Sequence, residues 1–341
     1  MNNNSSPPSS PIYLPYSRSI LAPDRPVVLV LGASRGIGIA MTYDLIRLGA
    51  HVMIVSRDLY TMQALRETYP RQVDFVCINL TLPGAAQTVI NATVQRWNQI
   101  DAMIVNHGVL PPLKRVENSS LEEDWMHVFN TNFFSAVMLC KYAIPHLRST
   151  RGRIIFVSAP SQTHSAWGPY SASKTALEQL SRTIAAEEPK IKCVSISPDP
   201  VDTGMQEEIR RHSGEQMDPE ARDEFERLYQ QDKLLRPEKV AALLVRAAIW
   251  ATTEMSGKHY RMTLVIALRI VYEGRKMAGH LLRWKWGEGL ARISAASSNE
   301  ELIAAFVVTR SRSPASNIDR RVDDIARRPP HTRDVWPLSS A

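Results

Sequence analysis

Val27-Val28-Leu29-Val30-Leu31 runs without a break into Gly32-Ala33-Ser34-Arg35-Gly36-Ile37-Gly38. An unbroken apolar run rich in β-branched residues reads as a short strand covered on both faces. The glycines that follow predict a tight turn at Gly32, bare backbone beside a pyrophosphate at Gly36, and a helix packed closely on the sheet at Gly38. The helix that opens there presents free N–H groups to phosphate. A three-glycine loop is weak evidence by itself. Its place between the first strand and the first helix gives it weight.

Working outward, the same alternation continues. Apolar runs recur at 52–55, 73–78, 102–105, 154–157 and 192–196, with amphipathic stretches between them at 39–48, 59–69, 83–97, 121–147 and 170–188. Pro83 suits a first helical position, and Pro189 ends the fifth helix. Six strands alternating with helices predict a doubly wound parallel sheet. After Met205 the pattern changes: 206–233 is densely charged, helical, and broken by Gly214 and Pro219, and 237–252 is a further amphipathic helix.

Composition narrows the function classes. Of 341 residues, 44% are hydrophobic, which is enough for a substantial core. Lys plus Arg exceed Asp plus Glu by 7, but the counts through Ser256 are 26 and 26, so the whole excess lies in the last quarter. The first three quarters carry no bulk signature of a nucleic-acid binder, and no nucleic-acid partner is expected. Trp284 and Trp286 beside Arg283 and Lys285 form one isolated basic-aromatic cluster. The apolar stretch 262–272 is interrupted by Arg269 and falls far short of the roughly 20 residues a membrane span needs. Cys77, Cys140 and Cys193 form no CxxC pair, so a reducing compartment is expected and a zinc ribbon is not. His127 and His146 share no metal-ligand spacing, and no metal site is expected.

Two further features carry chemistry. The second strand ends in Val55-Ser56-Arg57-Asp58, with Ser56 where an NAD site places an acidic residue. Arg57 and Arg35 suit the 2′-phosphate of NADP, and Asp58 suits the cap of the next helix. Tyr170-Ser171-Ala172-Ser173-Lys174 sets Tyr and Lys four apart on one helix face. An ammonium close to a phenol lowers the phenol's pKa and makes Tyr170 a usable acid toward a carbonyl oxygen. Lys174 is also placed to hold the nicotinamide ribose.

With these residues in view, 26–260 resembles the short-chain dehydrogenase/reductase family. The resemblance rests on GASRGIG at 32–38, Val105-Asn106-His107-Gly108, Asn132, YSASK at 170–174 and Ser197-Pro198-Asp199-Pro200-Val201-Asp202-Thr203. The surroundings of Tyr170 and the stretch 201–206 look like a fungal branch near benzil- and sepiapterin-reductase-like members. The resemblance implies a single Rossmann domain at 26–260 that binds NADP(H) and transfers hydride between the nicotinamide and the carbonyl or secondary alcohol of a small or medium apolar substrate. It implies Tyr170 as the acid or base, Lys174 beside it, and Asn132 holding a water in a proton relay. Gly32, Ser34, Arg35, Gly36, Ile37, Gly38, Arg57, Asn79, Leu80, Asn106, Val201 and Thr203 would join Tyr170 and Lys174 around the cofactor. A substrate lid at 205–233, a homo-oligomer, a cytoplasmic location and a place in secondary metabolism are further expectations. Residues 1–25 read as a flexible lead-in. Residues 261–341 read as a basic extension, either disordered or of gene-model origin.

Five departures qualify this picture. Leu31 stands where a hydroxyl residue is usual, and Asn79 where Asp is common. His107 replaces a small residue and is expected to crowd the cleft, and Asp199 replaces a glycine. The position of the family's serine falls on Ala159 or Val157 by two different counts. Ser158, the nearest hydroxyl, is expected to take the catalytic serine's role if the loop is re-registered, with Ser161 the alternative. A non-catalytic NADP-binding protein is therefore the competing class.

Overall fold

The computed structural model describes residues 25–159, 164–212 and 216–262. The expectations for 1–24 and 263–341, including the basic-aromatic cluster, and for Ser161, lie outside these residues. Seven strands, β1 (Val27–Leu31), β2 (His51–Ser56), β3 (Val73–Cys77), β4 (Ala102–Val105), β5 (Arg153–Val157), β6 (Lys192–Ser197) and β7 (His259–Arg261), form one sheet in the order β3-β2-β1-β4-β5-β6-β7. Every pairing is parallel. The doubly wound sheet is as expected, with a three-residue seventh strand added at its edge.

Alternate residues of each strand feed two separate cores. Val28, Val30, Val52, Ile54, Ile104 and Ile155 face α1 (Gly36–Arg47), α2 (Leu59–Thr68) and α9 (Pro237–Trp250). Leu29, Leu31, Met53, Met103, Ile154 and Phe156 face α3 (Ala85–Trp97), α5 (Ser135–Thr150) and α6 (Gly168–Glu187). A strand buried on both faces cannot alternate apolar with polar, which is why these runs are continuous. Leu31 belongs to this second core, so the unusual residue before Gly32 serves packing.

The start of α3 differs from expectation. Pro83 precedes the helix, and Gly84 turns the chain at φ 77 before the helix opens at Ala85. The long helix expected at 121–147 is continuous in direction but mixed in winding. Wide π turns occupy Leu121–Met126 and Asn130–Phe134 on either side of a short α4 (His127–Phe129), and α5 follows. Such bulges shift the helix register locally and are frequent at functional sites. Here one carries Asn132. The charged stretch forms α7 (Gly204–His212) and α8 (Pro219–Gln230). Among the described residues no helix is long and apolar enough to cross a membrane, and no group of His, Cys, Asp or Glu is placed to hold a metal.

Candidate active site

The strand order reverses between β1 and β4, and in open parallel sheets ligands bind where the carboxyl ends of the strands diverge. A cleft of ≈ 540 Å³ opens there. Of the expected site residues among those described, all line it except Gly38 and Asn132.

One end of the cleft is made of backbone. Gly32 (φ +75) lies against residue 107, and a Cβ on it would meet the His107 Cα at 2.8 Å. Gly36 (φ +54) faces the Thr203 methyl, which a Cβ would approach to 3.1 Å, so the cradle is bare only because the residue is glycine. Gly38 is off the wall because it does the packing: a Cβ there would sit 1.9 Å from the Gly32 carbonyl oxygen. The N-cap residue of α1, Arg35, makes no side-chain cap bond, and while the Gly38 N–H donates to Arg35 O at 3.1 Å, those of Gly36 and Ile37 remain available to an anion. Asn106 Nδ2 donates to Gly32 O at 3.0 Å and ties the end of β4 to the loop. Ser56 Oγ donates to Ser34 Oγ at 2.8 Å and ties the end of β2 to it. Arg35 and Arg57 are exposed at the same rim. Asp58 caps α2, accepting from Thr61 N at 3.2 Å. Asn79 Oδ1 turns the following segment by accepting from Thr81 N at 3.1 Å, beside Leu80. Val201 bridges to Leu235, and Thr203 Oγ1 donates to Val201 O at 3.4 Å. A bare cradle, uncapped N–H groups and two free-standing guanidinium groups fit a dinucleotide with an extra phosphate.

The other end is made of side chains. Tyr170 and Lys174 project from the first turns of α6, and Lys174 Nζ lies 5.8 Å from the Tyr170 ring centre. The ammonium donates to Val157 O at 2.8 Å. Burial holds Lys174 down to about 8. The same burial pushes the Tyr170 phenol up to about 12. This corrects the expectation that Lys174 lowers it: desolvation dominates, and the ammonium is directed at a carbonyl. The neutral phenol keeps its proton, and its one partner among the described residues is the Met205 sulfur at 3.9 Å, a weak acceptor.

Two further expectations change. Asn132 is fully buried behind the wall. Its Oδ1 accepts from Val109 N at 2.8 Å, and its Nδ2 donates to Val109 O and to Ser173 Oγ, both at 3.1 Å. It braces the loop after β4 against α6; its amide is directed at protein groups and not at the cleft. The Ser158 hydroxyl is likewise directed at protein groups, donating to Glu178 Oε1 at 2.8 Å and lying 3.1 Å from Lys174 O. Ala159 packs with the apolar cluster around Tyr170.

His107 does not simply crowd the cleft. Ser135 gives its one hydroxyl proton to Thr131 O at 2.6 Å, so His107 Nε2, 2.7 Å away, must be the donor to Ser135. Nδ1 is then a buried acceptor without a partner among the described residues. Burial, with Lys174 adding, holds the ring down to about 3, so it is neutral. Burial raises Asp199, with Arg261 opposing, and both line the cleft.

Sequence reasoning weighed His164 singly, as a loop residue able to donate to a substrate carbonyl, but did not bring together the aromatic group that closes this end. Trp167 stacks on Phe225 at 5.8 Å and 17°, His164 lies 5.7 Å from each, and Trp167 meets Tyr170 edge-on at 5.7 Å. Only the apolar side of α8, with Ala221 and Phe225 four apart, signalled it in advance. Ser165 and Asp218 exchange two hydrogen bonds, Ser165 N to Oδ2 at 3.3 Å and Asp218 N to Oγ at 2.8 Å, and so hold α8 over the cleft.

Comparison with known proteins agrees with this geometry. A family model described as short chain dehydrogenase matches residues 26–214. An uncharacterized oxidoreductase of Schizosaccharomyces pombe is 35% identical over 236 residues, covering 68% of this chain and 94% of that protein. A benzil reductase ((S)-benzoin forming) of Saccharomyces cerevisiae is 32% identical over 249 residues, covering 69% of this chain and 95% of that one. The crystal structure of a short chain dehydrogenase/reductase from Saccharomyces cerevisiae superposes with TM-score 0.68 at 31% identity, over 71% of this chain and 98% of that chain.

Proposed function

The chain belongs to the short-chain dehydrogenase family, oxidoreductases that transfer hydride at CH–OH or C=O groups, and from that premise we propose an NADPH-dependent reductase of apolar ketones. The observation that carries the reading is one cleft that joins a phosphate cradle to the Tyr170–Lys174 pair. NADP(H), when bound, supplies or receives the hydride at its nicotinamide. The exposed Arg35 and Arg57 would hold the 2′-phosphate, and Gly36 and the N-terminus of α1 the pyrophosphate. Asn79 and Leu80 would flank the adenine, and Val201 and Thr203 the nicotinamide.

The protein's part in the chemistry is orientation and one proton. The phenol of Tyr170 is neutral and donates to the carbonyl oxygen as negative charge develops on it, since an alkoxide is a far stronger base than a phenolate. Lys174 lies close enough to compensate the phenolate left behind. His164, Trp167, Met205 and Phe225 exclude water and favour an aryl or otherwise apolar substituent. A diaryl diketone of the kind named for the yeast relative fits such walls.

A second reading, cofactor binding without catalysis, is favoured by Ser158 facing Glu178 and by Ala159 beside the pair. NADPH oxidation with a panel of diketones and aryl ketones separates the two. Turnover should fall about 10²–10⁴-fold in Tyr170→Phe while NADPH binding persists. Binding without turnover, the same in the variant, would reject the enzyme.

A further inference from the structure

Behind the wall of the cleft lies a buried polar network that proton donation by Tyr170 does not use. It begins at the end of β5, where Val157 O receives the Lys174 ammonium. The next residue, Ser158, bonds through its N–H to Ile196 O at 2.9 Å and through its hydroxyl to Glu178 of α6. Glu178 is only 9% exposed. A carboxylate so placed is tolerated only where it is bonded.

From the other side His259 of β7 brings Nδ1 to 3.5 Å from the same Glu178 oxygen. Proton counting orients the ring. Ser197 gives its hydroxyl proton to Ala159 O at 2.7 Å, so His259 Nε2, 3.3 Å from Ser197 Oγ, is the donor there. Nδ1 then accepts from Ser195, 3.2 Å away, or, when protonated, donates to Glu178. Burial holds the ring below the ordinary imidazole value against the pull of Glu178, with Arg182 of α6 and Arg261 of β7 adding to the lowering, so the neutral form with its proton on Nε2 is favoured. The peptides of 158 and 159 are thus gripped from α6 and from β6–β7 at once. These peptides directly follow the carbonyl on which Lys174 rests.

We propose that Glu178 is a positioning residue for Lys174: through Ser158 it fixes the Val157 carbonyl that receives the ammonium, and His259 of β7 braces the next peptide through Ser197. The proposal rests on the reading of Tyr170 and Lys174 as the reacting pair. The network gives Ser158 a role without contact to substrate and makes the last strand part of the active-site support.

The test uses the full-length chain and two readouts. The first is the pH dependence of Lys174 acylation by acetic anhydride in the cofactor-free protein, read by peptide mass spectrometry. The second is kcat for NADPH oxidation. The wild-type midpoint should lie near 8. Ser158→Ala removes the tether without touching a charge. It should lower the midpoint by about half a pH unit or more, because the ammonium loses a fixed acceptor. Glu178→Leu should do the same and reduce kcat about 10-fold. Glu178→Gln, which keeps an oxygen for Ser158, should recover most of that loss. The Ser158→Ala/Glu178→Leu double variant should be no worse than the worse single, as for groups acting in series. An unmoved midpoint with unchanged kcat, whatever happens to Tm, would overturn the proposal, and so would additive losses in the double variant. If Glu178→Leu does not fold, Ser158→Ala decides by itself. If the wild type reduces no ketone, the proposed function fails, while the Lys174 midpoint still judges this inference.

Discussion

The two ends of the cleft are built from different materials. At the end formed by β1, β2 and β4, the surface is backbone: Gly32, Gly36 and Gly38 shape it, and Asn106 and Ser56 stitch it to neighbouring strands. At the end under α7 and α8, the surface is side chains from three separate segments: His164 and Trp167, Met205, and Phe225. A backbone surface is specified by local sequence and tolerates almost no added atom. A surface of assembled side chains is specified by tertiary contact and can be altered piece by piece. The first suits a constant ligand and the second a variable one.

The harshest way to break this contrast is Gly38→Ala. The new methyl would lie 1.9 Å from Gly32 O and 2.8 Å from Gly32 C, and both are backbone atoms of the loop itself. The helix must move off the sheet, at a cost of at least about 1–3 kcal/mol, the range of an overpacked core. Thermal unfolding should show the loss, and NADPH titration should show binding abolished. A variant with normal Tm and normal binding would mean that the backbone end is no more exacting than the other.

That difference also governed what the sequence could reveal. Strands β1 and β4 were legible to the residue, because parallel strands buried on both faces leave continuous apolar runs. The glycine loop and the Tyr170–Lys174 spacing were legible because each is a local pattern on one element. The seventh strand was not, since three residues, His259–Arg261, leave no periodicity to read. The orientation of Ser158 was not either, because it depends on Glu178, twenty positions away on another element. The phenol of Tyr170 rose instead of falling because burial, which no spacing rule encodes, outweighs a neighbour whose proton is directed elsewhere. Pro83 misled because a proline fits both the first turn of a helix and the turn before it, and Gly84 decided between them.

A milder probe of the backbone end is Arg57→Ala. The side chain is exposed, makes no ion pair among the described residues, and stands at the rim where a 2′-phosphate would lie. One charge-assisted contact of about 1.5 kcal/mol corresponds to about a 10-fold rise in the Kd for NADPH. NADH lacks that phosphate and should bind as before. Equal weakening of both would contradict the 2′-phosphate role and assign Arg57 to the part of the cofactor that the two dinucleotides share.

The smallest effect is expected at the side-chain end, in Asp218→Ala. An Asp at an N-cap ordinarily bonds the N–H groups of its own helix, but Asp218 makes no such bond to α8. Its carboxylate reaches instead to Ser165 N, and Ser165 Oγ accepts from the Asp218 N–H. Gln216 adds a second tie, its Oε1 accepting from Asn118 Nδ2 at 3.2 Å. Removing the carboxylate therefore leaves α8 intact and loosens only its hold on the loop that carries His164 and Trp167. One exposed hydrogen bond of about 1 kcal/mol corresponds to about a 5-fold rise in KM for the ketone. The reacting pair is untouched, so kcat should hold, the signature of lost uniform binding. A fall in kcat of the same size would show that α8 also sets the geometry at Tyr170, through Trp167 and Met205, and the two ends of the cleft would then have to be treated as one unit.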